Sequence, residues 1–352
     1  MRHSITVIVT ASGAPGGPSI IKGLRSVKER TIKIVATDIR NDAAGLYLAD
    51  KAYIVPPGND PTYIDKMLNI AINEQVDAIL PLSSIELPAL SKNKELFEDK
   101  GVKVLTSNYN STLIALDKYK TYQYLNSKGI SVAPTTYLVQ TLDELKSAAQ
   151  ELGFPAKPFV IKQPRGKGQR GFRVITNYKM TIEQFLESKP YDINMPYESL
   201  INMLKEAESF PPLMVMEYLP GPEYTVDVLC YKGETIVAIP RLRKQTTLGI
   251  STIGVAENKE EIISLVKDIV EAFNFDYIVN MQFKYNETGE PKLLEINPRI
   301  AGTVCLSIEA GVNIPYLAIK LALGEEIKKD EIEVKWGTII IRYWDHVTIK
   351  GS

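Results

Sequence analysis

The sequence is poor in the residue types on which many catalytic sites depend. It has two histidines, His3 and His346, one near each end, which excludes a histidine-rich zinc site and disfavours a Ser-His-Asp hydrolase. The two cysteines, Cys230 and Cys305, lie far apart without metal-ligand spacing, as is typical of reduced thiols in a cytoplasmic protein. We therefore expect the chemistry to rely on carboxylates, amides, Lys and Arg.

An excess of charge of one sign and long apolar runs are also missing. The 41 basic and 42 acidic residues nearly cancel, which gives no sign of a nucleic-acid partner or a membrane partner. No apolar run is long enough to span a bilayer, and residues 4–9 are typical of a first strand rather than a signal peptide. A chain of 352 residues can hold two domains or three subdomains. We expect a cytoplasmic protein that acts on small molecules.

The first third predicts a doubly wound parallel sheet in a domain of residues 1–110. β-Branched runs alternate with amphipathic stretches, and a glycine-rich turn at residues 11–18 follows the first strand. This arrangement is similar to a dinucleotide-binding fingerprint, but Pro15 and Pro18 remove backbone donors and the glycine spacing differs. The turn could instead hold a carboxylate or another small anion. Ser84 and Glu86 follow a later strand, where helix capping and substrate contact are both open.

Three features of the middle section indicate phosphate binding. Lys118 lies in the first turn of a predicted helix at 117–128, although alone it is typical of a surface lysine. Lys162 lies inside an apolar strand at 158–163 and needs an anionic partner. The loop at 164–172 then brings three glycines and three cations together, including Gly166, Lys167 and Gly168. Such a loop offers N–H groups and charge to a polyphosphate and can close as a lid; the alternative is a flexible basic hairpin loop.

Further candidates for nucleotide contacts follow at the end of an apolar strand at 213–219. Glu217, Tyr218 and Leu219 form a strand-to-loop hinge whose backbone could meet an adenine edge, and the Glu223 carboxylate could accept ribose hydroxyls. Arg241 and Arg243 lie two residues apart and so share one face of a strand. They are either anion ligands or the solvated face of that strand.

Two neighbouring strands carry polar groups on alternate positions. Asn280 and Gln282 share one face of the first strand, and Glu295 and Asn297 share one face of the second, with Leu294 and Ile296 pointing the other way. Gln282, Glu295 and Asn297 together form an oxygen set that suits a hard cation such as Mg²⁺. Arg299 follows, where a fixed cation can meet a phosphoryl group. The alternative is an ordinary hairpin with a solvated polar face.

Taken together and in this order, these motifs resemble the ATP-grasp superfamily. Within it, the sequence is most similar to one synthetase half of the carbamoyl-phosphate synthetase large subunit. The resemblance implies a preATP-grasp domain at 1–110, a small ATP-grasp subdomain with the glycine-rich lid at 111–220, and a carboxyl-terminal subdomain with the metal site at 221–352. The fold class is therefore expected to be α/β and α+β.

The resemblance also implies roles for the candidate residues. Lys118 and Lys162 would bind the phosphates of ATP, the backbone of Glu217 and Leu219 would meet adenine, and Glu223 would hold the ribose. Mg²⁺, or Mn²⁺ as an alternative ion, would be held by Gln282, Glu295 and Asn297, and Arg299 would face the transferred phosphoryl group. The catalytic set would be Lys162, Asn297 and Arg299. Members of the superfamily phosphorylate a carboxylate, and an amine or ammonia attacks the acyl phosphate.

The chain departs from carbamoyl-phosphate synthetases in two respects. It holds only one synthetase half, and Arg299 is followed by Ile300-Ala301-Gly302-Thr303 instead of a basic and serine-rich segment. We therefore expect a stand-alone carboxylate–amine ligase, in which the small 301–303 turn leaves room for a larger substrate. The alternatives are a carbamoyl-phosphate-synthetase-like subunit acting on bicarbonate and, from another class, a nicotinamide-binding oxidoreductase.

The tail predicts a helix at 313–323 and a strongly β-like segment at 335–349. Arg342 in this segment could contact substrate or pair with a nearby acid. A tail strand could also extend a sheet edge in a homodimer.

Overall fold

The structure, a computed structural model, describes residues 4–166, 170–178, 181–187, 192–247 and 249–349. These residues form three sheets that follow one another along the chain. The predicted lid residues Lys167 and Gly168 lie outside the described residues. The sheets fall within residues 1–110, 111–220 and 221–352, and the boundaries themselves stay a prediction.

The first sheet is parallel throughout, with the strand order β3-β2-β1-β4-β5. Its strands are β1 Ser4–Val9, β2 Thr31–Asp38, β3 Lys51–Ile54, β4 Ala78–Leu80 and β5 Lys103–Val104. Its helices are α1 Gly17–Arg25, α2 Tyr63–Asn73, α3 Leu87–Lys92 and α4 Lys94–Glu98, with a 3₁₀ turn at Ala44–Tyr47. Because the β-branched run of β1 is buried on both faces, this sheet is the doubly wound layer that the sequence predicts.

The amphipathic stretch at residues 86–99 predicts one helix, and this prediction is wrong in its extent. The stretch 86–99 forms two helices, α3 and α4, because Asn93 leaves helical geometry at φ −106° and ψ 19°. The Asn93 side chain donates to the carbonyl of Ala89 at 2.9 Å and so completes the end of α3. Asn competes for backbone partners in this way and favours helix ends over helix interiors.

The second sheet has the order β6-β10-β7-β8-β9 and is mixed. Two helices, α5 Tyr109–Ala115 and α6 Lys118–Ser127, lead into it. Its elements are β6 Thr136–Val139, α7 Leu142–Glu151, β7 Phe159–Lys162, β8 Arg173–Thr176, α8 Ile182–Glu187, β9 Asn194–Pro196, α9 Tyr197–Glu206 and β10 Leu213–Glu217. The side chain of Asp117 caps α6 by accepting from the N–H of Lys120, so Lys118 begins the helix as predicted.

The third sheet is antiparallel, with the order β15-β14-β11-β12-β13-β16. Its elements are β11 Glu223–Tyr231, β12 Glu234–Thr247, β13 Ile250–Ala256, α10 Glu260–Phe273, β14 Tyr277–Tyr285, β15 Pro291–Asn297, α11 Cys305–Glu309, α12 Ile314–Ala322 and β16 Ile339–Ile341. Apolar side chains of α10 pack with one face of the sheet in a single buried cluster. The opposite face carries the polar residues of β11, β14 and β15 towards the site.

A β-bulge changes the predicted facing of β15. Gln282 pairs with Glu295, but the next residue of β14, Phe283, pairs with Leu293, so Leu294 is the extra residue. Leu293 is 0% exposed and Ile296 3% exposed, and both lie in the core. The expectation that Leu294 points away from the face of Glu295 and Asn297 is therefore wrong, because Leu294 lines the same cavity and the bulge moves the core position to Leu293.

The predicted long strand at 335–349 is largely wrong. Only Ile339–Ile341 form a strand, which pairs with β13 at the sheet edge. Tyr343 and Trp344 beyond it are 81% and 95% exposed. A high strand propensity is not enough where no further strand is available to pair with it. Among the described residues no acid pairs with Arg342, whose Nη2 donates to the carbonyl of Pro15 at 3.0 Å. Its contact with a substrate stays a prediction.

No helix in the described part of the chain is long and apolar enough to cross a bilayer.

The bulge predicts unequal losses of stability when each of two neighbouring leucines is replaced by alanine. Leu293→Ala removes a fully buried side chain and should lower the free energy of unfolding by about 2–5 kcal/mol. Leu294→Ala should cost roughly 1 kcal/mol or less, because this side chain faces a cavity. Denaturant unfolding of both variants measures the difference. A larger loss for Leu294→Ala than for Leu293→Ala would contradict the observed register.

Candidate active site

One cavity of about 450 Å³ collects most of the side chains that the sequence singles out. It lies over the polar face of the third sheet, between the start of α6 and the glycine-rich turn that precedes α1. The predicted site residues in its lining are Lys118, Lys162, Gly166, Glu223, Asn280, Gln282, Glu295, Asn297 and Arg299. Residues distant in sequence therefore meet at one place, as a shared ligand site requires.

The predicted metal ligands lie on two paired strands, β14 and β15. Gln282 and Glu295 are direct cross-strand partners, and the Asn297 Nδ2 donates to Glu295 Oε1 at 2.9 Å. Burial opposes the ionisation of Glu295, but Lys118, Asn297 and Lys162 outweigh it and hold the pKa of this carboxyl below its ordinary value. Glu295 is therefore a charged oxygen donor with two amide side chains beside it.

Two lysines stand beside this carboxylate. Lys118 Nζ lies 3.2 Å from Glu295 Oε2, and Lys162 Nζ donates to the carbonyl of Leu294 at 3.2 Å. The bulge makes that carbonyl available, and the hydroxyl of Tyr122 also donates to it at 2.8 Å. Burial, followed by repulsion from Lys118, lowers the pKa of Lys162 to about 7. Lys162 is thus held in place by neutral groups, and its charge is available for an anion in the cavity.

Arg299 joins the metal-ligand strand to the first sheet. Its Nη1 donates to the carbonyl of Ile300 at 2.7 Å, its Nη2 to Asn297 Oδ1 at 3.3 Å, and its Nε to Ser84 Oγ at 3.3 Å. The guanidinium is therefore fixed from both sides. Ser84 thus contacts a candidate site residue, and its contact with a substrate stays a prediction.

Glu86, for which helix capping and substrate contact were both open, forms buried hydrogen bonds and does not cap a helix. Its side chain makes no capping contact with α3. It accepts from Thr10 Oγ1 at 2.5 Å, from the hydroxyl of Tyr63 at 2.8 Å and from the N–H of Ser83 at 2.8 Å. Burial raises the pKa of this carboxyl. Glu86 thus ties the ends of β1 and β4 together and shapes the segment from which Ser84 reaches Arg299.

A second cavity of about 830 Å³ lies next to the first, and the two share several lining residues. It lies at the carboxyl edge of the first sheet, where open parallel sheets bind ligands. Both cavities are lined by Lys118, Gly166, Glu295, Asn297 and Arg299. The space is therefore divided into two chambers with the charged groups between them.

The glycine-rich turn serves packing rather than a dinucleotide. The N–H of Gly13 donates to Asp38 Oδ2 at 2.7 Å. The Asp38 carboxylate, which in a dinucleotide-binding domain would accept from a ribose hydroxyl, is thus engaged within the turn. A Cβ on Gly16 would lie 2.7 Å from the Cα of Gly302, so the two backbones pack together. The expectation that the 301–303 turn leaves room for a larger substrate is wrong for the side at Gly302, because Gly16 fills it.

Three predicted nucleotide residues stand apart from the cavities. Glu217, Tyr218 and Leu219 are not among the residues that line either one. The Glu217 side chain accepts from the N–H of Thr135 at 2.8 Å, and Leu219 is buried. Their backbone contacts with adenine stay a prediction.

Two other predicted residues already have partners. Glu223 lines the cavity but forms an ion pair with Arg243, and Asn280 Nδ2 donates to Thr225 Oγ1 at 2.9 Å. For Glu223, ribose binding would compete with Arg243. For Asn280, the amide nitrogen belongs to a buried network below the cavity floor.

Neither alternative for the two arginines of β12 describes both of them. Arg241 is 2% exposed, and its Nη2 lies 2.8 Å from Asp227 Oδ1. Arg243 is also shielded from solvent, so the solvated-face interpretation is wrong. Sequence reasoning missed the role of Asp227 as the partner of Arg241, because no local pattern relates two buried residues on neighbouring strands. It also missed Tyr122 and the hairpin residues Gly249 to Ser251, which line the cavity or support it.

The donor set fits a hard divalent cation. One ionised carboxylate and the amide oxygens of Gln282 and Asn297 suit Mg²⁺, which keeps several other ligands from substrate or water. Among the described residues no group of three or more His, Cys, Asp and Glu gathers as a self-sufficient metal centre. A cation here would thus be shared with an anionic substrate.

Comparison with known proteins gives the family. Residues 209–344 match the family described as "ATP-grasp in the biosynthetic pathway with Ter operon", and residues 19–105 match "PylC-like, N-terminal domain". Residues 209–344 are therefore those of an ATP-grasp protein. This confirms the predicted superfamily, the fold class and the general enzyme class, an ATP-grasp carboxylate–amine ligase.

The relatives resemble this ATP-grasp chain over most of its length. A carbamoyl-phosphate synthase of Methanobrevibacter smithii is 27% identical over 333 residues, which cover 89% of the chain and 82% of that protein. The carbamoyl phosphate synthase large chain of Caldanaerobacter subterraneus subsp. tengcongensis is 24% identical over 88% of the chain, which spans only 27% of that much longer protein.

A solved structure shows the same fold. It is the biotin carboxylase domain of the Hydrogenobacter thermophilus 2-oxoglutarate carboxylase, in complex with MgADP, ADP and bicarbonate. The likeness has a TM-score of 0.67 at 21% identity and covers 95% of this chain and 73% of that one.

The burial of Lys162 predicts a pH-dependent stability. Because its pKa is about 7 when folded and about 10.4 when unfolded, the unfolded chain binds more protons between these values, and stability rises with pH. Lys162→Met removes this dependence. Relative to the wild type, the variant should gain a few kcal/mol at about pH 6, and the gain should shrink towards about pH 10.

Urea unfolding across this pH range measures the effect, with Lys120→Met, an exposed lysine of the same helix as Lys118, as the control for loss of one charge. An equal stability change for Lys162→Met at both ends of the range would contradict the burial argument.

Proposed function

We propose that this ATP-grasp protein uses Mg-ATP to phosphorylate a carboxylate and then joins the acyl phosphate to an amine or ammonia, releasing ADP and phosphate. The observation that carries the proposal is the meeting of Lys118, Lys162, Glu295 and Arg299 in one cavity. All of them except Lys162 also line the second chamber. Phosphoryl transfer depends on positioning and charge neutralisation more than on a histidine base. A site built from fixed lysines, an arginine and one carboxylate supplies both.

The residues divide into roles by position. Lys162 and Lys118 are placed to hold the triphosphate, and Lys118 can pass from Glu295 to a phosphate without leaving the cavity. Arg299, anchored by Ser84 and Ile300, is placed to hold the phosphoryl group and the carboxylate oxygen that attacks it. Gln282, Glu295 and Asn297 would hold Mg²⁺, which supplies neutralisation of phosphate charge. The two chambers would separate the nucleotide from the second substrate.

The reaction proceeds in two balanced steps. A carboxylate oxygen attacks the γ-phosphorus of ATP, the bond to the β-phosphate oxygen breaks, and ADP leaves. The amine then attacks the acyl carbon, phosphate departs with the former carboxylate oxygen, and the nitrogen loses a proton. Arg299 neutralises the phosphoryl oxygens in both steps, as expected for a fixed cation at the point of charge development.

Bicarbonate is the second candidate for the carboxylate. It is supported by the relatives named as carbamoyl-phosphate synthases and by the carboxylase structure that contains bicarbonate. The second chamber, at about 830 Å³, favours a larger organic carboxylate or amine. Mn²⁺ could replace Mg²⁺, since both prefer oxygen ligands.

A screen for ADP release across carboxylate and amine pairs, including bicarbonate with ammonia, tests the function. We expect ADP and phosphate only when both substrates are present. Glu295→Gln should lower the rate by about 100-fold or more, because it removes the only charge of the metal set. Glu290→Gln, at an exposed position between the same two strands, is the matched control and should retain the activity. Formation of AMP and pyrophosphate would contradict the proposal, as would full activity of Glu295→Gln.

A homodimer stays part of the proposal. The strand β16 lies at the edge of its sheet and exposes Ile339 and Ile341, with Tyr343 and Trp344 beside it. Light scattering should give twice the chain mass for the wild type, and Ile341→Lys should shift it towards the monomer, because a charge on an edge strand opposes pairing. A wild type with the mass of a single chain would contradict the homodimer.

A further inference from the structure

A buried ionic network lies directly below the cavity and the proposed mechanism does not use it. Arg241 and Asp227 form its centre, with Nη2 and Oδ1 2.8 Å apart and both side chains almost fully buried. Asp227 also accepts from Asn280 Nδ2 at 3.1 Å and from Ser307 Oγ at 2.6 Å. A buried carboxylate with three donors, one of them an arginine, is satisfied and rigid.

The network also holds Thr303, a residue of the cavity wall, in place. Arg241 Nη1 donates to the carbonyl of Thr303 at 2.7 Å and to its Oγ1 at 2.8 Å. Thr303 lines the cavity together with Asn297 and Arg299. Arg241 therefore fixes both the backbone and the side chain of the turn that follows the catalytic arginine.

This contact determines which hydrogen-bonding role of the Thr303 hydroxyl is already used. A hydroxyl has one hydrogen to donate and two lone pairs, and an arginine can only donate. Arg241 therefore occupies a lone pair of Oγ1, and the hydroxyl hydrogen of Thr303 must point elsewhere. Among the residues that the structure describes, no acceptor receives this hydrogen. The donor of Thr303 is thus free for an oxygen atom in the cavity.

We propose that Thr303 is a substrate-binding residue that donates a hydrogen bond to a carboxylate oxygen of the substrate, and that Arg241 and Asp227 are the positioning residues that fix its direction. The proposal rests on the function proposed above and adds the residue that recognises the carboxylate. Arg299 supplies charge to the same group, and Thr303 supplies a directed donor. The site therefore accepts an oxyanion and disfavours a substrate group that can only donate.

The test uses phosphonoacetate, a stable compound that joins a phosphonate to a carboxylate. It imitates a substrate carboxylate held beside the phosphoryl group that it attacks. Its affinity for the full-length MgADP complex is measured by calorimetry, without turnover. Thr303→Val keeps the shape of the side chain and removes the hydroxyl, so it should weaken phosphonoacetate at least about tenfold, as expected for a hydrogen bond to a charged group. Thr303→Ser keeps the hydroxyl and should stay within about threefold of the wild type.

Two further variants distinguish the positioning of Thr303 from a general loss of stability in the buried network. Ser307→Ala removes a donor to Asp227 on the side away from the cavity, so it should lower the melting temperature and leave phosphonoacetate binding within about twofold. Arg241→Lys should weaken phosphonoacetate, and the double variant Arg241→Lys/Thr303→Val should be no weaker than Thr303→Val alone.

Equal phosphonoacetate affinity in the wild type and Thr303→Val overturns the proposal. So does an equal loss in Ser307→Ala, and so does a wild-type MgADP complex that does not bind phosphonoacetate. Failure of the wild type to bind MgADP at all would instead contradict the proposed function.

Discussion

The register shift between β14 and β15 is the constraint on which the site depends. One extra residue, Leu294, moves Leu293 into the core and leaves the Leu294 carbonyl unpaired with the neighbouring strand. That carbonyl holds Lys162 and Tyr122, and the next residue, Glu295, pairs with Gln282. A single irregularity thus sets the positions of a buried cation and of the carboxylate beside it. Bulges commonly redirect side chains near active sites in this way.

Charge balance in the cavity follows from that arrangement. Two lysines and Arg299 surround one glutamate, and Lys162 is buried deeply enough that its pKa falls to about 7. In this state the site has an excess of positive charge and a high desolvation cost. A polyphosphate with a divalent cation offsets both, because the phosphates meet the lysines and the cation meets Glu295. Lys118, Glu295 and Arg299 also line the second chamber, so the anion that restores this balance also lies next to the second substrate.

Much of the site could be predicted from the sequence because its groups occur in local patterns. The alternation of Asn280 with Gln282 and of Glu295 with Asn297 places each pair on one strand face, and the structure brings the two faces together. Lys118 at a helix start and Lys162 in an apolar strand are also local signals. The parallel first sheet follows from its continuous β-branched runs.

The remainder depends on contacts that no local pattern contains. Arg241 looks like any arginine on an alternating strand until Asp227, on the next strand, and Thr303, beyond the sheet, are placed beside it. Gly302 looks like a space for substrate until Gly16 is found against it. The tail looks like a long strand because its residues favour one, but β13 provides a partner for only three of them. In each case the missing information is the identity of a neighbour that is distant in the chain.

The central claim is that the carboxylate itself takes the phosphoryl group. It is tested most directly by following the oxygen of a carboxylate substrate labelled with oxygen-18 in a complete reaction with ATP and amine. The account predicts that one labelled oxygen appears in the inorganic phosphate, since the bridging oxygen of an acyl phosphate leaves with phosphorus. Phosphate that carries no label, or label that appears in AMP, would contradict it.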